Sequence, residues 1–407
     1  MKPVYIVDAK RTPFLKAANP PGFYSAADLA VHAARALLLK HEVDIDEVIV
    51  GSVMPSSKEA NIARIIGLRL GLSHTVPAYT VHRNCASGMQ ALDDAMKDIQ
   101  LGRAEVVLAG GVDAMSRAPL LFNSRMVRFL SQLSRANSLA KKLKILASFR
   151  LALLKPEAAL LQGLTDPVVG MNMGQTAEEL AYRYGITREA MDAYALRSHQ
   201  RLLAAQAEGV FKRDIVPLVS EQGEVLAQDD GVRADTTLER LAKLKPIFET
   251  VGSVTAGNSS QITDGAAFLL LASEEAVKRY NLTPRAKILD IVWAGVEPEI
   301  MGIGPVEAIK VLWKRHNMPV TDVDLWEINE AFAAQVLACL QALDGRISLE
   351  CLNIYGGAIA QGHPVGASGV RITMQLLTAL ERQHKQRGVA SLCIGGGQGG
   401  ALWLERV

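Results

Sequence analysis

The sequence predicts an α/β protein made of two related halves with a third, unrelated region between them. Three patterns lead to this. Short apolar strands alternate with helix-period segments at both ends of the chain, the arrangement of α/β folds with parallel strands. Features of the first part recur at a near-constant distance: Asp322 follows Asp44 by 278 positions, His363 follows Cys85 by 278, and Leu392 follows Val106 by 286. Residues 121–250 have no counterpart in that repeat. A shared offset across several elements marks duplicated βαβ units.

Taken in order, residues 4–7 read as an apolar strand, followed by a turn at Lys10-Arg11-Thr12-Pro13-Phe14. Residues 26–40 form an amphipathic helix, and 44–51 an acidic turn running into a strand. Residues 61–71 are helical. Pro77 leads into a strand over 78–81, after which Met89, Leu92, Met96 and Ile99 recur at helical spacing until Gly102 ends the helix. Residues 105–111 are a strand ending in Gly-Gly. The second half repeats the plan: strand 286–294, helix 305–317, acidic turn and strand 322–328, helix 331–343 and strand 353–357. Gly362-His363-Pro364 then opens a helix reaching about Gln386, and strand 389–397 ends in three glycines. In the middle region Thr176 is expected to cap a helix running to Tyr184, and 187–192 begin another. Residues 252–260, small and polar, read as a loop that backbone or ligand passes closely.

Composition narrows the function class. A chain of 407 residues with 49% hydrophobic content and 33 glycines has room for a large core. A net charge of +2 gives no reason to expect nucleic acid. No run of 18 apolar residues is present, and the first ten residues read as a strand rather than a secretion signal. The four cysteines, Cys85, Cys339, Cys351 and Cys393, are widely separated without CxxC spacing. This argues against a metal site or a disulfide framework and leads us to expect a cytoplasmic protein.

Chemistry concentrates at four places: Cys85 at a strand-to-helix turn, Asn329-Glu330-Ala331-Phe332, Gly362-His363-Pro364, and Cys393-Ile394-Gly395-Gly396-Gly397. Unpaired N–H groups and a helix dipole at the Cys85 turn should favour thiolate over thiol. Each place lies at the C-terminal end of a strand or within one leaving the core, the edge of a parallel sheet where ligands bind. If the halves pack about a pseudo-dyad, the helix starts carrying Cys85 and His363 meet. A cysteine, a histidine and a second cysteine then fit nucleophile, base and proton carrier for acyl transfer.

These blocks, with Arg11-Thr12-Pro13-Phe14, residues 173–178 and Thr255-Ala256-Gly257-Asn258, resemble the thiolase family over essentially the whole chain in order. The resemblance implies the thiolase fold: duplicated βαβαβ halves in a five-layered αβαβα arrangement with an inserted loop domain. It divides the chain into 1–120 (the half with the nucleophile), 121–250 (loop domain), 251–272 (return segment on the first half) and 273–407 (second half). It implies 3-ketoacyl-CoA thiolysis of the β-oxidation type. Cys85 becomes acylated, His363 takes the thiol proton, and Cys393 protonates the departing acetyl-CoA enolate. Asn329 holds a water that, with His363, stabilises the enolate oxygen, while the N–H groups of Cys85 and Gly395 form a second oxyanion hole. Met173, Ser260 and Arg233 fall at positions for substrate and CoA. CoA is a substrate, and no cofactor or metal is implied. Asn172 stands where many short-chain biosynthetic relatives have histidine, a departure at the pantetheine site.

An acetoacetyl-CoA thiolase remains the alternative within the family. A ketoacyl synthase would use two histidines and one cysteine, against which Cys393 and Asn329 speak. A non-catalytic lipid carrier would lack catalytic residues, and none is missing. Finally, residues 121–155 hold eight Lys or Arg and no Asp or Glu, interleaved with leucines and phenylalanines. They read as two basic amphipathic helices broken near Ala136-Asn137, suited to an anionic membrane surface or a partner protein. In this they resemble thiolase subunits of trifunctional fatty-acid oxidation complexes, which implies a hydratase/dehydrogenase partner subunit. The family resemblance further implies a homodimer or a dimer of dimers.

Overall fold

A computed structural model describes residues 2–17, 22–317 and 319–407. One continuous sheet of ten strands runs through the molecule. From one edge its order is Leu325–Ile328, Arg387–Ile394, Gln398–Arg406, Ala286–Gly295, Val4–Arg11, Thr263–Ser273, Val106–Ala114, Glu47–Gly51 and Ala78–Val81, with Leu15–Lys16 pairing on Thr263–Ser273. The halves join where Val4–Arg11 meets Ala286–Gly295 antiparallel, over Val4 to Ile6. Outward from that seam both sides repeat one pattern. Two antiparallel steps are followed by a parallel one, Val106–Ala114 with Glu47–Gly51 on one side and Arg387–Ile394 with Leu325–Ile328 on the other.

The near-continuous apolar runs of these strands follow from burial on both faces. Along Val106–Ala114, Val106 and Leu108 face the helices Ala26–Lys40 and Ile62–Arg69, while Val107 and Ala109 face the helix Ser87–Gln100. Along Arg387–Ile394, Val389 and Cys393 join the outer core of the second half, under Gly304–His316 and Ala333–Ala342. Ala390, Leu392 and Ile394 face the helix Ser368–Arg382 instead. Ser87–Gln100 and Ser368–Arg382 pack on each other between the two halves of the sheet, which completes the five layers αβαβα. Glycines allow this approach: a Cβ on Gly88 would stand 2.6 Å from the carbonyl oxygen of Gly366.

Several sequence expectations change. The first strand continues through Lys10 and Arg11 instead of turning, because both pair with Phe268 and Ala267. Two central strands, Thr263–Ser273 and Gln398–Arg406, escaped the sequence reading. Residues 353–357 are not a strand. Asn353 (φ 47°) and Gly356 (φ 78°) take left-handed conformations that end extension, and the Asn353 amide bonds both backbone groups of Ile328. The helix after His363 begins only at Ser368, preceded by a short helix Ala358–Gln361 and a single turn Val365–Ala367. Thr176 is not a cap. Asn172 caps Met173–Tyr184 through a reciprocal box with Gln175, and the Thr176 hydroxyl bonds back to the carbonyl of Met173.

Between the halves, residues 124–147 form the expected pair of helices, Ser124–Arg135 and Leu139–Ala147, broken at 136–138. The short strands Leu120–Phe122 and Pro156–Ala158 close their base. The helices Met173–Tyr184 and Arg188–Ala207 pack on the second half.

Candidate active site

Cys85 lies two residues before the helix Ser87–Gln100, in a turn tightened by Ser87. Its hydroxyl accepts from the Arg83 N–H (2.8 Å) and donates to the Asn84 carbonyl (2.7 Å). Asn84 takes a left-handed φ of 43°, and its amide donates to the Gly395 carbonyl of the other half at 2.7 Å. That bond holds the Cys85 turn against the strand carrying Cys393. Burial pushes the Cys85 thiol up, against the N–H groups of Gly395 and of Cys85 itself, which favour the anion. The expected thiolate preference therefore gives way: desolvation outweighs the helix-start donors, and the resting group is a thiol.

His363 does not follow a strand. It sits between Ala358–Gln361 and the turn Val365–Ala367, its N–H donating to the Gln261 carbonyl. Asp113, buried on the far side of the pseudo-dyad, pins this loop by accepting from the Gly366 N–H at 2.6 Å and from the N–H groups of Val53 and Met54. Nδ1 of His363 lies 2.5 Å from the Ser368 hydroxyl, which donates its own proton to the Pro364 carbonyl at 2.9 Å. The hydroxyl proton being committed, Nδ1 must be the donor, and Nε2 keeps a free lone pair. Nε2 is buried without a partner. Burial, with the Arg371 charge adding to it, pushes His363 down to about 3, so the ring is neutral.

Asn329 follows the strand Leu325–Ile328 and is held by its N–H on the Ser391 carbonyl. Its Oδ1 accepts from Arg371 at 2.6 Å, and its Nδ2 is buried with no partner. Cys393, fully buried near the end of Arg387–Ile394, is pushed well above the ordinary thiol range by burial, with Cys85 adding to the effect. Buried atoms normally have partners. The unpaired Nε2 of His363 and Nδ2 of Asn329 are therefore two buried nitrogens left open to ligand atoms.

The remaining predicted residues divide. Met173 lies against Gly395, its sulfur 3.2 Å from where a Cβ there would be. Ser260 is half-buried and donates its N–H to the Ala331 carbonyl, beside the Asn329 loop. Arg233 stands apart, its N–H donating to Nδ1 of His199 and its guanidinium without a hydrogen bond or ion pair among the described residues. Asn172, the departure from the histidine pattern, is occupied as a helix cap. Sequence reasoning passed over Asp113, and also Arg371, the one charge in the buried run Ser368 to Leu380, which was the signal available for it.

A family model described as "Thiolase, N-terminal domain" matches residues 4–275, and one described as "Thiolase, C-terminal domain" matches 282–406. The chain is 42% identical to the mitochondrial 3-ketoacyl-CoA thiolase of Homo sapiens over 412 aligned residues, covering 100% of this chain and 98% of that protein. It is also 42% identical to a beta-ketoadipyl-CoA thiolase of Acinetobacter baylyi, covering 100% of both. The crystal structure of human mitochondrial 3-ketoacyl-CoA thiolase in complex with CoA superposes with a TM-score of 0.89 at 39% identity, covering 100% of this chain and 98% of that one.

Proposed function

The chain belongs to the thiolase family and is an acyltransferase, and from that premise we propose that it cleaves 3-ketoacyl-CoA with CoA, giving acetyl-CoA and a shortened acyl-CoA in fatty-acid β-oxidation. The observation that carries the reading is the neutral His363 with its Nε2 lone pair unpaired, on a loop whose Gly366 packs against Gly88 at the helix start beside the buried thiol of Cys85. A thiol kept protonated by burial needs a base at the moment of attack, and a histidine of fixed tautomer provides one.

In this reading the Cys85 sulfur attacks the 3-keto carbon while its proton passes to Nε2 of His363. The carbon–carbon bond then breaks, leaving the acyl group on sulfur and the electron pair on acetyl-CoA as an enolate. The now protonated Nε2 and a water on Nδ2 of Asn329 stabilise the enolate oxygen. The high pKa of Cys393 suits it to deliver a proton to the enolate carbon. An incoming CoA thiol takes the acyl group through a tetrahedral intermediate held by the N–H groups of Cys85 and Gly395, and its proton restores the site. Losing one such donor typically costs about 3 kcal/mol of barrier.

The supporting contacts for CoA are Met173 and Ser260, with Arg233 toward the adenine end. The division at 120, 250 and 272, a homodimer or dimer of dimers, and a cytoplasmic location are further proposals from the sequence. For the last, the human relative's name places that protein in mitochondria, so cell fractionation decides it. Residues 121–155 support a contact with an anionic membrane surface, since the hairpin leaves Leu139, Leu143, Leu151 and Leu154 exposed among its cations. A hydratase–dehydrogenase subunit is the competing occupant.

Steady-state thiolysis over a ladder of 3-ketoacyl-CoA chain lengths, beside condensation of two acetyl-CoA, tests the substrate. A kcat/KM that rises with chain length supports β-oxidation. Activity confined to acetoacetyl-CoA, with efficient condensation, selects the biosynthetic alternative.

A further inference from the structure

We infer that Arg371 is a positioning residue of the reaction: its guanidinium holds Oδ1 of Asn329 and so leaves Nδ2 of that amide as the free donor of the enolate site. The inference rests on the role proposed for Asn329.

The two ends of an asparagine amide have nearly the same shape and opposite hydrogen-bonding character. An unheld Asn329 could turn either end inward. Arginine carries five donors and no acceptor, so whichever end faces Arg371 must be the oxygen. The Nη2–Oδ1 distance of 2.6 Å is that of a charge-assisted bond. Nδ2 is then directed away from Arg371, where it meets no protein partner. A donor for a ligand or a water follows from the placement of a cation behind it.

Stability alone is a poor reason for Arg371. The side chain is 1% exposed, yet its Nε has no partner and its nearest carboxylate, Glu327, stands 3.8 Å away. Glu327 is itself pushed up to about 8 by burial, against the pull of Arg371. A buried cation so thinly compensated adds little to folding, and a well-packed apolar side chain of the same volume would serve as well. What distinguishes arginine is its donor-only fork toward Asn329 and its charge toward His363. Ser368 and Arg371 lie three residues apart on one face of the same helix. Within one turn, Ser368 selects the histidine tautomer and Arg371 selects the amide orientation.

The test compares wild type, Asn329→Ala, Arg371→Met and the double variant in two assays. One is thiolysis of a 3-ketoacyl-CoA. The other is acyl exchange between a simple acyl-CoA and Cys85, which needs no enolate. Arg371→Met should lower kcat for thiolysis on the order of 10²-fold, as does removal of one oxyanion donor, and affect exchange far less. The double variant should be no slower than the worse single one, because both changes remove one device. Arg371→Lys keeps a donor and should recover part of the loss. It also carries the comparison if Arg371→Met does not fold. Equal slowing of both assays, or losses that multiply in the double variant, would overturn the inference. Full thiolysis by Asn329→Ala would instead remove the premise, while a selective defect in Asn329→Ala without one in Arg371→Met would sink Arg371 alone.

Discussion

The Cys85 turn and the His363 turn occupy equivalent places in the two halves and have become opposites. In the first half a regular strand, Ala78–Val81, feeds the turn, and the helix begins at Ser87. In the second, the corresponding strand is gone, a short helix takes its place, and the long helix is delayed to Ser368. The two long helices still pack on each other between the halves. Duplication thus preserved the scaffold that brings the turns together and released the approach to each. One turn presents N–H donors around a thiol. The other presents an imidazole lone pair whose orientation depends on a serine that could not hold it had the helix started at residue 363.

Breaking the donor side should cost most. Cys85→Ser is a small change in a turn held by Ser87 and Asn84, so the fold should persist. Thiolysis should fall on the order of 10⁶-fold, the scale on which loss of a catalytic nucleophile acts. Mass spectrometry after mixing with substrate should find no acyl adduct at residue 85. An adduct formed at the wild-type rate would disqualify Cys85. Cys393→Ala comes next. It should slow the carbon–carbon step by about 10²–10⁴-fold, the usual worth of one general acid. Acylation of Cys85 by a simple acyl-CoA should survive, and a matching loss in both half-reactions would deny Cys393 a dedicated proton.

The acceptor side should respond more mildly. Ser368→Ala removes the acceptor that keeps the proton on Nδ1 of His363, so the Nε2–H tautomer gains population and fewer molecules hold a ready base. A hydrogen bond worth ~1 kcal/mol corresponds to about a fivefold to tenfold drop in kcat/KM. The pH profile should keep its shape. His363 is held neutral down to about 3, so lowering pH from 7 to 5 should not charge it in either protein. Protonation would follow only as pH nears 3, and the folded protein would lose stability across the interval from the ordinary histidine value down to there. A wild-type profile that breaks near pH 6.5 with His363 as the titrating group would contradict the lowering of its pKa by burial.

How far the sequence reveals this site follows from where the physical information lies. The helices after Cys85 and before Asn317, and the strands Glu47–Gly51 and Val106–Ala114, are legible because each carries its own periodicity, although the second strand runs on to Ala114, past the Gly111 end that its glycines suggest. The strands Thr263–Ser273 and Gln398–Arg406 are harder to read, since both faces of the first are buried and the second begins in glycines. Strand 353–357 fails for another reason: its apolar look conceals Asn353 and Gly356 in conformations that only the surrounding Ile328 and Glu330 contacts make worthwhile. The proposed nucleophile, base and proton carrier stand out by residue type. The thiol state of Cys85 does not, because the local helix start argues for thiolate and only the assembled burial reverses it. Asp113 and Arg371 act across chain separations of 253 and 42 residues, which no local pattern records.

The smallest expected effect on chemistry concerns part of the region between the halves, which neither half repeats. The hairpin of residues 121–155 holds eight cations and no acidic residue, and none of the eight makes an ion pair with Asp or Glu among the described residues. Met126 and Phe129 are buried, and Phe129 packs edge-on against Phe149, so the hairpin covers part of its own apolar surface. Leu139 remains 74% exposed and Leu151 79%, in the same segment as Lys141, Lys142 and Lys144. Apolar side chains among unpaired cations match an anionic interface, where each Lys or Arg contributes roughly 1 kcal/mol and salt weakens the sum. Reversing Lys141, Lys142 and Lys144 to Glu should therefore reduce co-sedimentation with anionic vesicles while turnover on soluble short 3-ketoacyl-CoA stays at the wild-type level. Retention of vesicle binding after the reversal, or its insensitivity to salt, would remove charge from the explanation. Wild-type protein that ignores vesicles at low salt but co-purifies with a hydratase–dehydrogenase subunit would transfer the hairpin to that partner. Indifference to both would leave it as cover for its own domain.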